Sequence, residues 1–283
     1  MNNPANTERL DKILAGAGYG SRSDVKKLIR SGAVSCDGDA VTAPEMKFSP
    51  ETTRIEVGGV KITYNRFIYL VMNKPEGALC ATYDPARRTV IDLLPERYRT
   101  RKMFPVGRLD KNTTGLLLLT DDGDFAHMLI SPKKSVEKEY EALLDKVPGA
   151  EVAEAFGRGV ILDGHIRLRP AKLTIRQTAG ETARAPETVA GACGAGVSSP
   201  AAADAATTDA AVTTDPAIPA VPVRVIVTEG KYHQIKRMFS AFGINVIKLR
   251  RVRIGGICLD PALLPGEARE LTTTELSSLY YSK

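Results

Sequence analysis

The first part of the chain has the hydrophobic and polar spacing of an amphipathic helix. Within residues 22–30, apolar side chains recur on one helical face, namely Val25, Leu28 and Ile29. A second face collects basic side chains four residues apart, namely Arg22, Lys26 and Arg30. Ser21 or Ser23 can cap the start of this helix, and Gly32 is suited to end it. The pattern therefore predicts a helix with one apolar and one basic face.

Apolar runs predict strands on both sides of short helices in the next part of the chain. Two β-prone runs flank Asp37-Gly38, a dipeptide typical of a hairpin turn, and this hairpin completes a compact unit over residues 1–62. From residue 66 to about 176, strands alternate with short helices. The predicted elements there are strands at 67–74, 116–120 and 138–144 and a helix at 124–131.

Residues 178–220 differ in composition from the rest of the chain. They contain no aromatic residue, no Leu and no Met, and residues 201–220 alone hold nine Ala and four Thr. Such a segment buries too little apolar area to offset the loss of backbone entropy, which predicts a disordered insertion. A strand is predicted at 223–230, so the insertion interrupts a domain that continues on both sides of it.

Composition excludes several classes of protein. With 283 residues, 43% hydrophobic and 25% charged, the chain suits about two domains with real cores. No apolar run approaches the roughly 18 residues of a membrane span, and the first residues do not resemble a secretion signal. The four cysteines form no close pair and the three histidines lack metal-ligand spacing, which predicts neither a disulfide framework nor a metal centre. We expect a cytoplasmic protein that has no membrane-spanning segment.

The basic residues are unevenly distributed. The 39 Lys and Arg exceed the 33 Asp and Glu, which gives a net charge of +6. Residues 178–220 hold one base and five acids, so the rest of the chain carries +10. Between Lys231 and Arg253 there are seven Lys or Arg and no acid. This distribution is typical of a protein that binds a polyanion, and composition alone leaves DNA, RNA and an acidic membrane surface open.

Residues 104–123, FPVGRLDKNTTGLLLLTDDG, carry the strongest candidate for chemistry. Asp110 follows Gly107 and Arg108 in a loop before an apolar strand, where a carboxylate can be oriented and partly desolvated. From the residues alone, a catalytic acid and a turn aspartate are equally good interpretations. Tyr140 lies among charges in a predicted strand, and by the same reasoning it is more typical of a packing residue.

A basic helix is predicted from about His233 to Phe242. Its core-facing positions are Ile235, Met238, Phe239 and Phe242. Lys236 and Arg237 lie away from that apolar stripe. A solvated basic face is the ordinary interpretation, but the density of like charge between apolar strands favours a surface that phosphates neutralise.

Two segments of the chain resemble known families. RLDKILAGAGYGSRSDVKKLIRSGAVSCDGDAV resembles an S4 RNA-binding module. The motifs YLVMNKPEG, FPVGRLDKNTTGLLLLTDDG, KEYEA and EGKYHQIKRMF, in this order, resemble the catalytic domain of the RsuA/RluB/RluE/RluF family of rRNA pseudouridine synthases. The match covers essentially the whole chain except residues 178–220. The last motif and residues 255–276 look closer to the small-subunit (16S) branch than to the large-subunit (23S) branches.

This resemblance implies an α+β fold and an isomerase. An S4-type module over residues 1–62 would precede a pseudouridine synthase catalytic domain over 66–283, with a mixed, largely antiparallel sheet. The implied reaction converts a uridine of 16S rRNA to pseudouridine, with no cofactor and no metal. The rRNA partner would be naked or part of an assembling small subunit, and the enzyme would be a monomer that does not associate with membranes. A 23S rRNA enzyme and a non-catalytic rRNA-binding or assembly factor remain as alternatives, whereas metal-dependent RNA hydrolysis would need clustered acids that the chain lacks.

The resemblance also implies roles for individual residues. Asp110 would be the catalytic carboxylate, either attacking the sugar or assisting elimination. Tyr140 would stack on the target base, and Lys236 would take the place of the basic residue, often Arg in relatives, that pairs with the aspartate. Arg108 would help to hold the flipped-out nucleotide. The other residues expected to bind RNA are Arg22, Lys26, Lys27, Arg30, Lys231 and Arg237.

Overall fold

A computed structural model describes residues 7–50, 52–62, 64–99, 101–175 and 220–280. The predicted insertion at 178–220 therefore lies outside the described residues, except for Ala220. The strands are β1 (Glu8–Arg9), β2 (Val34–Cys36), β3 (Asp39–Ala40), β4 (Lys47–Phe48), β5 (Ile55–Val57), β6 (Val60–Lys61), β7 (Tyr69–Lys74), β8 (Phe104–Pro105), β9 (Thr113–Thr120), β10 (Lys138–Leu144), β11 (Ile161–Leu162), β12 (Ile166–Arg167), β13 (Lys172–Ile175), β14 (Val221–Val227), β15 (Val246–Ile254), β16 (Ile257–Cys258) and β17 (Ala268–Glu270). The helices are α1 (Leu10–Gly16), α2 (Arg22–Arg30), α3 (Glu96–Arg99), α4 (Gly123–Ile130), α5 (Ala150–Arg158), α6 (Gln234–Ser240) and α7 (Thr273–Tyr280), with a 3-10 turn at Pro132–Lys134.

The chain divides into two compact units. The first comprises the described residues of Met1–Lys111 with Leu117–Leu129 and Leu263–Thr272. The second comprises Asn112–Leu116 and the described residues of Ile130–Ala262 and Thr273–Lys283. No helix within the described ranges has the length and apolar character that crossing a bilayer requires. The domain limits inferred from sequence remain predictions.

The first unit begins with a small module of two helices and short strands. Its strands pair in the order β3-β2-β5-β6, all antiparallel, and β1 pairs with β4. Asp37 and Gly38, between β2 and β3, have φ values of 53° and 97°. This left-handed backbone is the one that a two-residue hairpin turn requires, so the predicted hairpin is confirmed. The module's core consists of Leu10, Ile13, Leu14, Val25, Ile29, Val34, Cys36, Val41, Ile55 and Ile62.

Helix α2 of this module starts as the sequence predicts. The Ser21 hydroxyl accepts a hydrogen bond from the Asp24 N–H at 3.3 Å, and the Asp24 carboxylate accepts one from the Ser21 N–H at 3.3 Å. This reciprocal cap satisfies two backbone donors that a helix start leaves unpaired. Val25 and Ile29 are fully buried, so the opposite face of the helix is presented to solvent.

The rest of the first unit contains three neighbouring strands, β9, β7 and β17, and the short strand β8. β7 lies between β9 and β17, and it pairs antiparallel with β17. β8 pairs antiparallel with the end of β9. β7 and β9 are apolar on both faces because both are buried, in agreement with the predicted strands at 67–74 and 116–120. The predicted helix at 124–131 is α4.

The second unit is built on a mixed sheet in the order β13-β14-β10-β15-β9. All its pairs are antiparallel except β15 with the start of β9, where Leu249 is opposite Thr113 and Arg251 is opposite Gly115. The predicted strands at 138–144 and 223–230 are β10 and β14. This arrangement agrees with the expected mixed, largely antiparallel sheet.

Helices α5 and α6 bury aromatic side chains in the second unit. The rings of Phe156 and Phe239 are 4.9 Å apart between centroids, and both side chains are fully buried. Ile235 and Met238 are buried beside them, as the sequence predicts. Phe242 is only half-buried, contrary to its expected core position, because α6 ends at Ser240.

Candidate active site

Asp110 lies in the loop that connects β8 to β9 in the first unit. Gly107 begins the loop with a left-handed φ of 79°, and Leu109 is buried and anchors it to the core. The Leu109 N–H donates a hydrogen bond to the Cys80 Sγ at 3.3 Å. The Asp110 side chain is half-buried, as expected for a carboxylate that is oriented by its loop and still reachable.

Lys74, at the end of β7, fixes the other side of this loop. Its Nζ donates to the Lys111 carbonyl at 3.1 Å and to the Pro75 carbonyl at 3.0 Å, and the Gly77 N–H donates to the same Lys111 carbonyl at 2.9 Å. Lys74 is fully buried. Burial lowers the pKa of Lys74, and electrostatic interactions with Cys80, Asp110 and Glu76 act in the opposite direction. The Asp110 loop is thus held next to a buried amine.

Tyr140 lies on β10 in the second unit and is 8% exposed. Its hydroxyl is 3.5 Å from Nη1 of Arg251, on the neighbouring strand β15, and the guanidinium carbon lies 5.9 Å from the ring centroid. Nε of Arg251 donates to the Leu116 carbonyl at 2.8 Å. Arg251 is 3% exposed, and its Nη2 has no hydrogen-bond partner among the described residues. A buried cation therefore holds the Tyr140 side chain at its hydroxyl end.

Gly115 of the TTGL motif makes this arrangement possible. A Cβ at Gly115 would lie 2.2 Å from the Arg251 carbonyl oxygen, and the residue has a φ of +96°. Both facts require glycine, since no side chain fits between β9 and β15 at this point. The TTGL motif therefore has a structural explanation in the close approach of two parallel strands.

Lys236 lies on α6 in the second unit. Its Nζ donates a hydrogen bond to the Asn112 Oδ1 at 2.5 Å. Asn112 is two residues after Asp110 along the chain. The side chain of Lys236 is half-buried, in agreement with its expected position off the apolar stripe.

The residues predicted to bind RNA fall into two groups. Those on α2 belong to the first unit: Arg22, Lys27 and Arg30 are exposed, and Lys26 is half-buried. Arg108, in the Asp110 loop, is exposed as well. In the second unit, Nζ of Lys231 donates to the Arg167 carbonyl at 3.3 Å, and Arg237 forms an ion pair with Asp163. These two cations are therefore already oriented by the protein.

Sequence reasoning did not single out Lys74 or Arg251. Lys74 ends the apolar strand β7 and Arg251 lies within the basic strand β15, so each looks like an ordinary basic residue in the sequence. A signal for Lys74 was available, because a lysine that directly continues the buried run YLVMN must find polar partners if the strand stays buried. Arg251 carries no such signal, since Arg250 and Arg253 are close to it and only the tertiary structure distinguishes the buried one.

Comparisons with known proteins identify the family to which the chain belongs. The RNA pseudouridylate synthase family model matches residues 68–241, and the S4 domain model matches residues 8–53. The chain is 40% identical over 271 residues to an uncharacterized RNA pseudouridine synthase of Bacillus subtilis, which covers 96% of this chain and 98% of that protein. A crystal structure of a pseudouridylate synthase aligns with a TM-score of 0.56 and 31% identity, covering 96% of this chain and 99% of that one.

Two further relatives are named ribosomal small subunit pseudouridine synthase A. The chain is 36% identical to the one from Vibrio cholerae and 35% identical to the one from Escherichia coli, and each match covers 96% of this chain and 99% of the relative. The chain therefore belongs to the RNA pseudouridylate synthase family and is an isomerase with an N-terminal S4 domain. The predicted family, its small-subunit branch and the α+β fold are confirmed.

Proposed function

We propose that this enzyme isomerises one uridine of 16S rRNA to pseudouridine. The observation that carries the proposal is the similarity to two small-subunit enzymes over nearly the full length of all three chains. The proposed substrate is naked rRNA or an assembling small subunit, met in the cytoplasm by a monomeric enzyme. The exposed basic face of α2 and the basic residues on and near α6 support a large polyanionic substrate.

The reaction rearranges bonds within one nucleotide. The glycosidic bond between N1 and C1′ breaks, the base turns, and a bond forms between C5 and C1′. The C5 proton is then lost and N1 gains one, so atoms balance without an oxidant or a second substrate. The protein must therefore supply a carboxylate, a cation and a base-binding surface in a place that the target base can reach.

We assign the carboxylate to Asp110. Its loop is held by Lys74 and by the sulfur of Cys80, so its direction is fixed before RNA binds. The buried amine of Lys74 lies beside this loop and donates to the Lys111 carbonyl. An ionised carboxylate can attack C1′ or stabilise the positive charge that develops there during elimination.

We assign base stacking to Tyr140 and the partner cation to Lys236. Arg251 restrains the Tyr140 ring from the hydroxyl end, which reduces the entropy that stacking on a flipped base would otherwise lose. The hydrogen bond from Lys236 attaches its ammonium to Asn112, two residues after Asp110 along the chain. Base extrusion costs a few kcal/mol, which stacking and phosphate contacts offset.

The test is formation of pseudouridine in rRNA transcripts by wild-type protein and by Asp110→Asn. Wild type should modify one position of 16S rRNA, and D110N should lose more than about a thousandfold in rate, because the carboxylate is replaced by a neutral group of the same shape. Its affinity for RNA should stay within a few fold. Asp124→Asn is the control, since it neutralises an exposed acid at the start of α4 in the same unit.

The same assay separates the competing interpretations. Modification of 23S instead of 16S rRNA would reject the proposed substrate and leave the reaction intact. An active D110N enzyme would reject Asp110 as the catalytic acid. A wild-type protein that binds rRNA and modifies none of it would indicate a binding or assembly factor.

A further inference from the structure

An exposed aromatic stack stands at the edge of the basic region of the second unit. Tyr232 is 74% exposed, and its ring stacks on the His233 ring with centroids 3.8 Å apart and planes inclined by 19°. A tyrosine ring normally buries its apolar faces, whereas one face here lies on His233 and much of the side chain remains in water. An exposed aromatic face beside basic residues is typical of a ligand-binding surface.

The backbone conformation and the hydrogen bonds of the neighbouring residues fix the position of the stacked rings. His233 has a left-handed φ of 48°, a conformation that non-glycine residues hold only when surrounding contacts impose it. Gln234 is buried, accepts a hydrogen bond from the Lys231 N–H at 2.9 Å and donates one to Glu229 at 3.1 Å. The two residues that flank the stack, Lys231 and Gln234, are thus bonded to each other. The Tyr232 ring is therefore presented in a defined position.

The charges around the stack favour nucleic acid as the ligand. Lys231 directly precedes Tyr232, and Lys236 and Arg237 follow within the next helical turn. Asp163 is paired with Arg237, and Glu229 accepts hydrogen bonds from Gln234 and from the Arg169 N–H. An aromatic face bordered by cations matches an unpaired nucleotide, whose planar base and phosphate are covalently adjacent.

We propose that Tyr232 and His233 form a stacking platform for an unpaired base of the RNA substrate, other than the target uridine. The proposal rests on the proposed function in that it takes RNA as the substrate. The base lies on the open face of Tyr232, and Lys231 contacts a neighbouring phosphate. Because every base has an aromatic face, the platform fixes where a single-stranded segment lies and reads little of its sequence. Because the two rings are stacked beforehand, little side-chain freedom is lost on binding.

The test compares Tyr232→Leu and Tyr232→Phe with wild type in binding to a 16S rRNA transcript and in turnover. Y232L should weaken binding by about 5- to 100-fold, the range that loss of one base–aromatic stack gives. Y232F keeps the aromatic face and should stay within about twofold of wild type. KM should rise with Y232L while kcat at saturating RNA is unchanged, because the platform positions RNA and does not touch the reacting atoms.

Two controls make the result specific. Tyr83→Leu removes a tyrosine that is 78% exposed in the other unit, and it should not weaken binding. The salt dependence of binding should keep its slope in Y232L, since no charge is removed. Unchanged melting temperatures for all variants would exclude a folding defect.

Several outcomes would overturn the platform. These are wild-type affinity for Y232L, an equal loss in Y83L, or a loss in Y232F as large as in Y232L, which would indicate a hydroxyl contact instead of stacking. A loss seen with assembled subunits and absent with naked transcript would assign Tyr232 to a protein partner. If wild type binds the transcript in a Tyr232-dependent way and forms no pseudouridine, the proposed function fails and the platform stands.

Discussion

Lys138, on the same strand as Tyr140, has a pKa that its surroundings perturb strongly. Burial lowers the pKa of Lys138 to about 8 from 10.5, and the positive charge of Arg251 adds to the effect. Its Nζ donates to the Val136 carbonyl at 3.1 Å. At neutral pH the half-buried Lys138 and the buried Arg251 are therefore cations on adjacent strands of the second unit.

The lowered pKa of Lys138 should make the stability of the protein depend on pH. The pKa of Lys138 is lower in the folded protein than in the unfolded chain, so the unfolded chain binds more protons between pH 8 and 10.5. The stability of wild type relative to Lys138→Met should therefore rise as pH increases through that window. Below pH 8 the variant should be the more stable of the two, by an amount that does not change with pH.

Denaturant unfolding at pH 7, 8, 9 and 10 measures this difference. Burial raises the pKa of the Cys36 thiol from 9 to about 11, which acts on stability in the opposite direction as pH rises. Cys36 is present in both proteins, so its contribution cancels when the two are subtracted. A difference that is flat from pH 7 to 10 would show that Lys138 titrates normally.

Gly115 allows the strands β9 and β15 to lie close together. Gly115→Ala would place a Cβ 2.2 Å from the Arg251 carbonyl and impose a φ of +96° on an alanine. Overpacking of this kind costs about 1–3 kcal/mol, and the backbone strain adds to it. Because Arg251 restrains Tyr140, the rate of pseudouridine formation should fall as well.

Thermal unfolding and turnover of G115A test this prediction. Gly123→Ala is the matched control, since a Cβ there meets nothing within 4 Å and the backbone is not left-handed. Equal melting temperatures for the two variants would mean that β9 and β15 can separate without penalty.

At the scale of elements, α2 combines a buried apolar face with an outward basic one. The Ser21–Asp24 cap fixes where α2 begins, and the burial of Val25 and Ile29 leaves the basic face directed outward. The double variant Lys26→Glu/Arg30→Glu should weaken binding to 16S rRNA without unfolding the module. The slope of log affinity against log salt should become shallower by about 1.4, the value for two lost phosphate contacts on a single strand.

Filter binding from low to moderate salt gives that slope. Arg158→Glu/Lys172→Glu makes the same change of charge at exposed positions of the second unit and serves as control. If both double variants change the slope equally, binding responds to net charge and α2 has no special part in it.

At the scale of the whole molecule, Arg101 attaches the N-terminal module to the synthase segments of the first unit. Its guanidinium donates to the Asp121 carboxylate at 2.6 Å and to the carbonyls of Gly16 at 3.4 Å, Asn65 at 3.1 Å and Arg66 at 2.6 Å. The side chains of Arg101 and Asp121 are 11% and 13% exposed. One arginine thus connects the end of α1, the chain segment after the module and the end of β9.

Arg101→Ala should destabilise the protein by about 3–5 kcal/mol, because it leaves the Asp121 charge buried without its partner. Adding Asp121→Asn should recover part of this loss, since the amide removes the charge and its oxygen can still accept from the Ile68 N–H. Chemical denaturation measures both, and faster trypsin cleavage between residues 53 and 67 would report a loosened module. Additive losses in the double variant would show that the pair is not coupled.

Much of the local structure follows from the sequence. The helix at 22–30, the hairpin at Asp37-Gly38 and the strand at 138–144 all have periods and turn residues that act over a few positions. Errors occur at the ends of elements: β9 begins at Thr113 and not at residue 116, because pairing with β15 extends the strand beyond its apolar run. The roles of Asp110, Tyr140 and Lys236 came from motif resemblance and stay predictions until the variants are measured.

The sequence by itself determined the class of protein, the order of the elements and the basic character of α2 and α6. These depend on periodicity, turn chemistry and motifs, which neighbouring residues set. Only the tertiary structure decided that Arg251 meets Tyr140 across 111 residues, that Lys74 holds the Asp110 loop and that Gly115 lies against β15. The physical reason is that burial of a charge and the close approach of two strands depend on residues far apart along the chain, which no local pattern records.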